Sequence, residues 1–154
     1  MKKSGAVICL AVAAGTLFIG ACPAQTRRVT LITDDEAKRP AAAALTFRAG
    51  ISRGPGIELL SPKPSEKSVL SPVHLQLKFE GHGGAQIDEA SFKLIDACNP
   101  AVDLTDRVKD FTKATGIDVP EADIPPGTYT IHAEVKDNEG RVGLLTFNLN
   151  VAKQ

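Results

Sequence analysis

The 154-residue sequence has few of the residues that would indicate a specific ligand. It contains no Trp, one Tyr and six Phe, and its 18 basic residues balance its 18 acidic residues. Nucleic-acid-binding domains combine a basic surface with side chains that contact or stack on bases, so this composition argues against nucleic acid as a partner.

The sequence also lacks the short motifs that carry a known chemical mechanism. It contains no Gly-x-Gly-x-x-Gly, phosphate-binding loop, His-Glu-x-x-His, Cys-x-x-Cys or Gly-x-Ser-x-Gly. His74 and His132 are predicted on strands of opposite sheets and His82 in a glycine-rich loop, so they are not expected to share a metal ion. We predict no catalytic residue, metal or cofactor, and therefore a protein that is not an enzyme.

Acidic residues in loops provide the alternative, because oxygen ligands from loops suit calcium. Three pairs of acidic residues qualify: Asp103 with Asp106, Glu121 with Asp123, and Asp137 with Glu139. Asp and Asn also favour turns because their side chains bond the local backbone, which is sufficient to explain the last pair. A domain that binds calcium or another small ligand is the second hypothesis.

The N-terminus has the order of a secretory signal, which we predict over residues 1–21. Lys2 and Lys3 precede an uncharged apolar run from about Ala6 to Phe18, followed by the small residues Gly20 and Ala21. The run is short for a membrane span, and no other segment approaches about 20 apolar residues.

The end of this signal, Ile19-Gly20-Ala21-Cys22, resembles the lipobox of bacterial lipoproteins. The resemblance implies that Cys22 is lipidated and becomes the first residue of the mature chain, which would place the protein in the periplasm at the outer membrane. The alternative is ordinary cleavage after Ala24, which would give a secreted protein without an anchor.

The cysteines do not provide a disulfide framework. Cys9 leaves with the signal, and Cys22 is either acylated or removed. Cys98 then has no partner in its own chain, so the domain depends on its hydrophobic core. The expected role of Cys98 is that of a small buried hydrophobic residue, and the alternative is pairing with another chain.

Residues 22–54 are predicted to be a flexible linker, because they show no sustained periodicity. A flexible chain of this length would have a reach of roughly 30 Å, enough to lift a domain off a membrane. Two short patterns interrupt it: Val29 to Ile32 could add an edge strand, and Asp34 to Lys38 could form a helical turn.

Residues 55–154 are predicted to form an all-β, antiparallel sandwich of about seven strands, with one short helical turn near Thr105. Short apolar alternations separated by Pro, Gly, Asn and Asp clusters about every ten residues are typical of sandwiches. The clearest are Val73 to Phe79 and the hairpin formed by Tyr129 to Val135, Asp137 to Gly140 and Val142 to Val151.

The pattern Pro-Gly-x-Tyr-x-Ile-x-Ala-x-Val-x-Asp-x-x-Gly, from Pro126 to Gly140, resembles the last strands of bacterial immunoglobulin-like domains. The resemblance implies an immunoglobulin-like fold in which Gly127 and Gly140 form turns. It also implies that Tyr129 is a tyrosine corner, bonded to the backbone before its strand. The resemblance to immunoglobulin-like domains implies no active site. We therefore expect an exported accessory module that binds another envelope protein.

Overall fold

The computed structural model describes residues 27–41 and 53–153. These residues form nine strands and two short helices: β1 (Arg28–Thr30), α1 (Asp34–Ala37), β2 (Gly56–Ser61), β3 (Val73–Glu80), β4 (Ile87–Asp96), β5 (Val102–Asp103), α2 (Thr105–Val108), β6 (Thr112–Lys113), β7 (Gly116–Asp123), β8 (Gly127–Asp137) and β9 (Val142–Val151). A 3-10 turn, Lys109–Phe111, continues α2.

The strands form two sheets, which confirms the predicted all-β sandwich with a short helical turn. The first sheet has the order β1-β7-β3-β2, with β6 added to β7, and the second has the order β5-β4-β8-β9. Six of the nine strands are divided between the two sheets as in an immunoglobulin-like domain. In the first sheet, β2, β3 and β7 correspond to strands A, B and E, and in the second, β4, β8 and β9 correspond to C, F and G. One pair departs from the antiparallel prediction, because β1 runs parallel to β7.

The core lies between the sheets, and strand alternation explains its composition. Along β3, the side chains of Val73, Leu75, Leu77 and Phe79 are buried, while those between them are exposed or partly exposed. β8 shows the same alternation. The rings of Phe79 and Phe92 lie 5.5 Å apart and join the two sheets at one end.

β7 is longer than predicted. The apolar alternation of Ile117 and Val119 predicts a short strand that ends at Pro120, because proline cannot donate to a ladder, yet β7 continues to Asp123. The register between β3 and β7 shifts between Val73 and Leu75, opposite this part of β7. Proline has no N–H to donate and is therefore tolerated at such a bulge.

The structure differs from the predicted flexible linker over residues 27–41, which we call the N-terminal segment. Leu31 and Ile32 are each 1% exposed and belong to the hydrophobic core. β1 pairs with β7, and Ala41 forms a bridge with Cys98 at the end of β4. The folded unit therefore includes residues before 55, because burial of two large apolar side chains favours the packed state. The remaining linker residues, 22–26 and 42–52, lie outside the described residues.

Candidate functional site

The N-terminal segment is fixed to the sandwich by an ion pair between Glu36 and Arg107. The two side chains form two parallel hydrogen bonds, Arg107 Nη1 to Glu36 Oε2 at 2.8 Å and Arg107 Nη2 to Glu36 Oε1 at 2.7 Å. Arg107 Nη1 also donates to the carbonyl oxygen of Leu31 at 2.7 Å. The Arg107 guanidinium thus holds both α1 and the chain that leads into it.

Glu36 is in turn positioned by its own helix. Thr33 caps α1 by accepting a hydrogen bond from the Glu36 N–H, and Glu36 accepts one from the Thr33 N–H. The hydrogen bond from Arg107 lowers the pKa of Glu36 to about 2, against an ordinary value of 4.5. A carboxylate held in this way is ionised at all physiological pH values.

A groove of about 840 Å³ lies at the end of the sandwich where the N-terminal segment crosses. It is lined by residues of this segment, of the turns on either side of it and of the C-terminus: Arg28, Thr30, Ile32, Thr33, Asp34, Ser71, Pro72, Asp123, Ile124, Pro125, Pro126, Ala152 and Lys153. We call this the proximal end, because Arg28, the first residue of β1, lines its groove; β1 itself runs towards this end.

The proximal end is nearly neutral and carries the exposed apolar side chain of Leu70. Arg28 Nε lies 3.6 Å from carboxylate oxygens of both Glu121 and Asp123, which offsets its charge. Leu70, next to Ser71 of the groove, is 58% exposed. Its neighbour Val69 is held by backbone hydrogen bonds with Asn150 and Ala152, so the position of Leu70 beside the C-terminus is fixed.

The opposite end, which we call the distal end, consists of the β3–β4 loop and the β8–β9 hairpin. The loop residues 81–84 and hairpin residues 138–140 are exposed. Backbone atoms of Gln86 and Asn138 are hydrogen-bonded at 2.9 Å, and Arg141 Nη2 donates to the His82 carbonyl at 3.1 Å. The two connections therefore form a single joined surface.

Asp137 and Gly140 shape this hairpin. The Asp137 carboxylate accepts from the backbone N–H groups of Glu139 and Arg141 and from Arg141 Nε, at 3.0, 2.9 and 2.7 Å. Although its burial opposes ionisation, these hydrogen bonds lower the pKa of Asp137. Gly140 has a φ of +77°, which favours glycine over any residue with a Cβ.

Tyr129 and Gly127 form the turn before β8. The Tyr129 hydroxyl donates to the Pro125 carbonyl at 2.8 Å, four residues earlier. A Cβ on Gly127 would lie 3.0 Å from the Tyr129 hydroxyl oxygen. The Tyr129 ring thus packs against Gly127, and its hydroxyl bonds to the backbone just before β8.

Cys98 and Asp96 are buried beneath the N-terminal segment. Burial raises the pKa of the Cys98 thiol, and the charge of Asp96 raises it further. Burial likewise raises the pKa of Asp96. The thiol donates to the Pro100 carbonyl at 3.1 Å, and the Asn99 N–H donates to the Pro40 carbonyl. Cys98 is thus a covered core residue.

The structure does not bring the three histidines together. His74 contacts Asp118 on the first sheet at 2.7 Å, and His132 contacts Thr146 on the second sheet at 2.7 Å. His82 lies in the distal loop. Within residues 27–41 and 53–153, no group of three or more His, Cys, Asp or Glu side chains is arranged to hold a metal ion.

The acidic pairs are also separated, and several of their members have partners within the protein. Asp103 accepts a hydrogen bond from the Thr105 N–H, Glu121 and Asp123 face Arg28, and Asp137 closes its own turn. Each partner gives the carboxylate a structural role in its own turn or strand, so no specific observation favours the calcium hypothesis.

Two features of the site were not predicted from the sequence. Thr33 and Glu36 have the spacing of a capping box, a signal that predicts the start of a helix. The partner of Glu36 could not be read in this way, because Arg107 lies 71 residues away. Leu70 sits in a proline-rich connection without periodicity, so its exposure depends on the fold.

Cys22 and the predicted signal lie outside the described residues. The part of the chain that the structure describes contains no helix with the length and apolar character needed to cross a bilayer. Comparison with known proteins gives no match to a family model, a curated protein or a solved structure.

Proposed function

We propose that the protein is an exported, non-enzymatic module of the cell envelope, anchored by a lipid on Cys22, that binds another envelope protein. The main support is the closeness of the lipobox-like sequence to the folded unit. Residues 23–27 alone separate Cys22 from β1. A sandwich placed directly behind an anchor is suited to hold a binding surface at a membrane.

The distal end is the proposed contact surface for the partner protein. It is exposed, it lies at the opposite end of the strands from the groove that Arg28 lines, and hydrogen bonds between its two loops fix its shape before binding. A surface that is already ordered loses little conformational entropy on association, which favours affinity. Its exposed polar groups include the imidazole of His82 and the carboxylate of Glu139, which is paired with Arg141.

The mass of the mature protein from membranes of its host tests the anchor. We expect the wild-type chain to begin at an acylated Cys22 and to remain with the membrane. Cys22→Ala should lose both the acyl mass and the membrane association, while the matched control Cys9→Ala should change neither. An unmodified mature chain that begins after Ala24 would refute the anchor and leave a soluble secreted domain.

Crosslinking in cells tests the contact surface. A photoreactive residue at His82 should give a discrete adduct with one envelope protein, because this side chain lies on the distal end. The same residue at Lys93, exposed on the outer face of β4, is the control and should give little product. Equal amounts of crosslinked adduct from both positions would show that the protein has no preferred contact surface and would contradict the proposed role of the distal end.

A further inference from the structure

β9 is the longest strand at an edge of either sheet within residues 27–41 and 53–153. The other edge strands are short or interrupted: β1 has three residues, β5 and β6 have two each, and β2 carries Glu58 and a register shift before Ser61. β9 instead pairs with β8 over its whole length without a shift. Proteins protect edge strands with charged residues, proline or a bulge, and β9 contains none of these. Such an edge indicates a surface on which another strand can pair.

The contacts of Val69 show which backbone groups of β9 point away from β8. The Val69 N–H donates to the Asn150 carbonyl at 2.9 Å, and the Ala152 N–H donates to the Val69 carbonyl at 2.8 Å. Val69 therefore occupies the outer side of β9 at its C-terminal end. The N–H and C=O of a strand residue point to the same side, and this side alternates along the strand. The even-numbered residues of β9 thus direct their backbone groups outward.

Leu144, Thr146 and Asn148 form the open part of this edge. No hydrogen bond within the described part of the chain uses their outward N–H and C=O groups. Their side chains are exposed and uncharged. The strand could therefore accept a neighbour without burying a charge or breaking an existing bond.

The open edge is complementary to a second copy of itself. In an antiparallel pair centred on Thr146, this residue faces its own counterpart and Leu144 faces Asn148 of the other copy. Each facing pair exchanges two hydrogen bonds, so every outward group of the three residues gains a partner. No like charges face one another, and the arrangement closes with the two-fold symmetry that is commonest among dimers.

We propose that two copies of the protein pair through β9, antiparallel about Thr146, and join their second sheets into one. Val69 limits the pairing, because it already occupies the edge at Asn150. Backbone groups carry the contact, and the side chains stay on the outer face of the joined sheet. The inference does not depend on the proposed lipid anchor. The two distal ends lie at opposite ends of the joined sheet, so one dimer offers two contact surfaces.

Single cysteines in intact host cells test the pairing and its register. Thr146→Cys should give a disulfide-linked dimer after mild oxidation, because the Cα atoms of facing residues lie about 5.5 Å apart, within reach of a disulfide. Leu144→Cys and Asn148→Cys are the matched controls. Each lies roughly 13 Å from its own counterpart and should give little dimer alone, whereas cells that express both variants should form it.

The wild-type chain measures the background from the natural cysteines. Dimer from Thr146→Cys, and from neither control expressed alone, would support the pairing. Equal amounts of dimer from all three variants would show random collisions, and none from Thr146→Cys would show that β9 stays unpaired. Either of these results would overturn the proposal.

Native mass spectrometry of the purified mature protein counts the subunits independently. Wild type should give a dimer and Thr146→Lys a monomer, because two ammonium groups would face one another across the strands. Thr128→Lys, the same change on the outer face of β8 one strand from the edge, should remain a dimer. A monomeric wild type, or a dimeric Thr146→Lys, would contradict the pairing whether or not Cys22 carries a lipid.

Discussion

Leu31→Ala is expected to lower the free energy of unfolding by about 2 to 5 kcal/mol, the cost of truncating a buried leucine in a well-packed core. Leu31 is 1% exposed and its N–H donates to the Asp123 carbonyl at 2.9 Å. The side chain therefore contributes to the same cooperative unit as the sandwich strands. Urea unfolding followed by far-ultraviolet circular dichroism measures the change.

Leu144→Ala is the control for this measurement, since its side chain is 55% exposed on β9 and the same atoms are removed. Its effect should stay within about 0.5 kcal/mol. A loss for Leu31→Ala no greater than that for Leu144→Ala would mean that the N-terminal segment is not part of the folded unit. The domain would then behave as a sandwich behind a free linker.

Glu36→Gln is expected to cost about 1 to 3 kcal/mol at pH 7, because it leaves a partly buried Arg107 without its bidentate partner. The side chains of Arg107 and Glu36 are 29% and 13% exposed, so water screens the pair only in part. The effect should exceed that of an ordinary surface ion pair. Chemical denaturation at several pH values measures it.

The contribution of Glu36 to the free energy of unfolding changes with pH in a definite direction. The pKa of Glu36 is depressed from 4.5 to about 2 in the folded protein. Its stabilising contribution is therefore complete above about pH 4.5 and is lost as the pH falls towards 2. The difference between wild type and Glu36→Gln should shrink over that interval.

Asp35→Asn provides the matched control on the same helix. Asp35 contacts Lys38 at 3.1 Å, but the two side chains are 94% and 74% exposed. Ion pairs between exposed side chains contribute little to stability. The free energy of unfolding of Asp35→Asn should therefore stay within about 0.5 kcal/mol of the wild-type value at pH 7. A Glu36→Gln variant as stable as Asp35→Asn would contradict the proposed role of Arg107 in holding the N-terminal segment.

The sequence predicts the parts of the fold that local patterns encode. The alternation in β3 and β8 and the turn at Asp137 specify which face of each strand is buried, because a strand places successive side chains on opposite faces. The pattern around Tyr129 also indicated the role of this residue, a bond from its side chain to the backbone before the strand. These features depend on residues close together in the chain.

The N-terminal segment could not be predicted in the same way. Leu31 and Ile32 are two adjacent apolar residues within a polar stretch, too few to establish a period. Their burial depends on β7, whose partner residues lie more than ninety positions away. The local patterns at Val29 to Ile32 and Asp34 to Lys38 suggested an edge strand and a helical turn, where β1 and α1 lie, but they did not show that this segment enters the core.

The burial of Cys98 also determines how the chain reacts with thiol reagents. A thiolate is the reactive form, and at Cys98 both the raised pKa and the cover supplied by Pro40 and Ala41 suppress it. In a folded mature chain that begins at Cys22, maleimide would therefore modify residue 22 alone. A chain cut after Ala24 lacks Cys22 and would take up no maleimide, so the labelling yield of native protein measures the fraction of chains that begin at an unacylated Cys22.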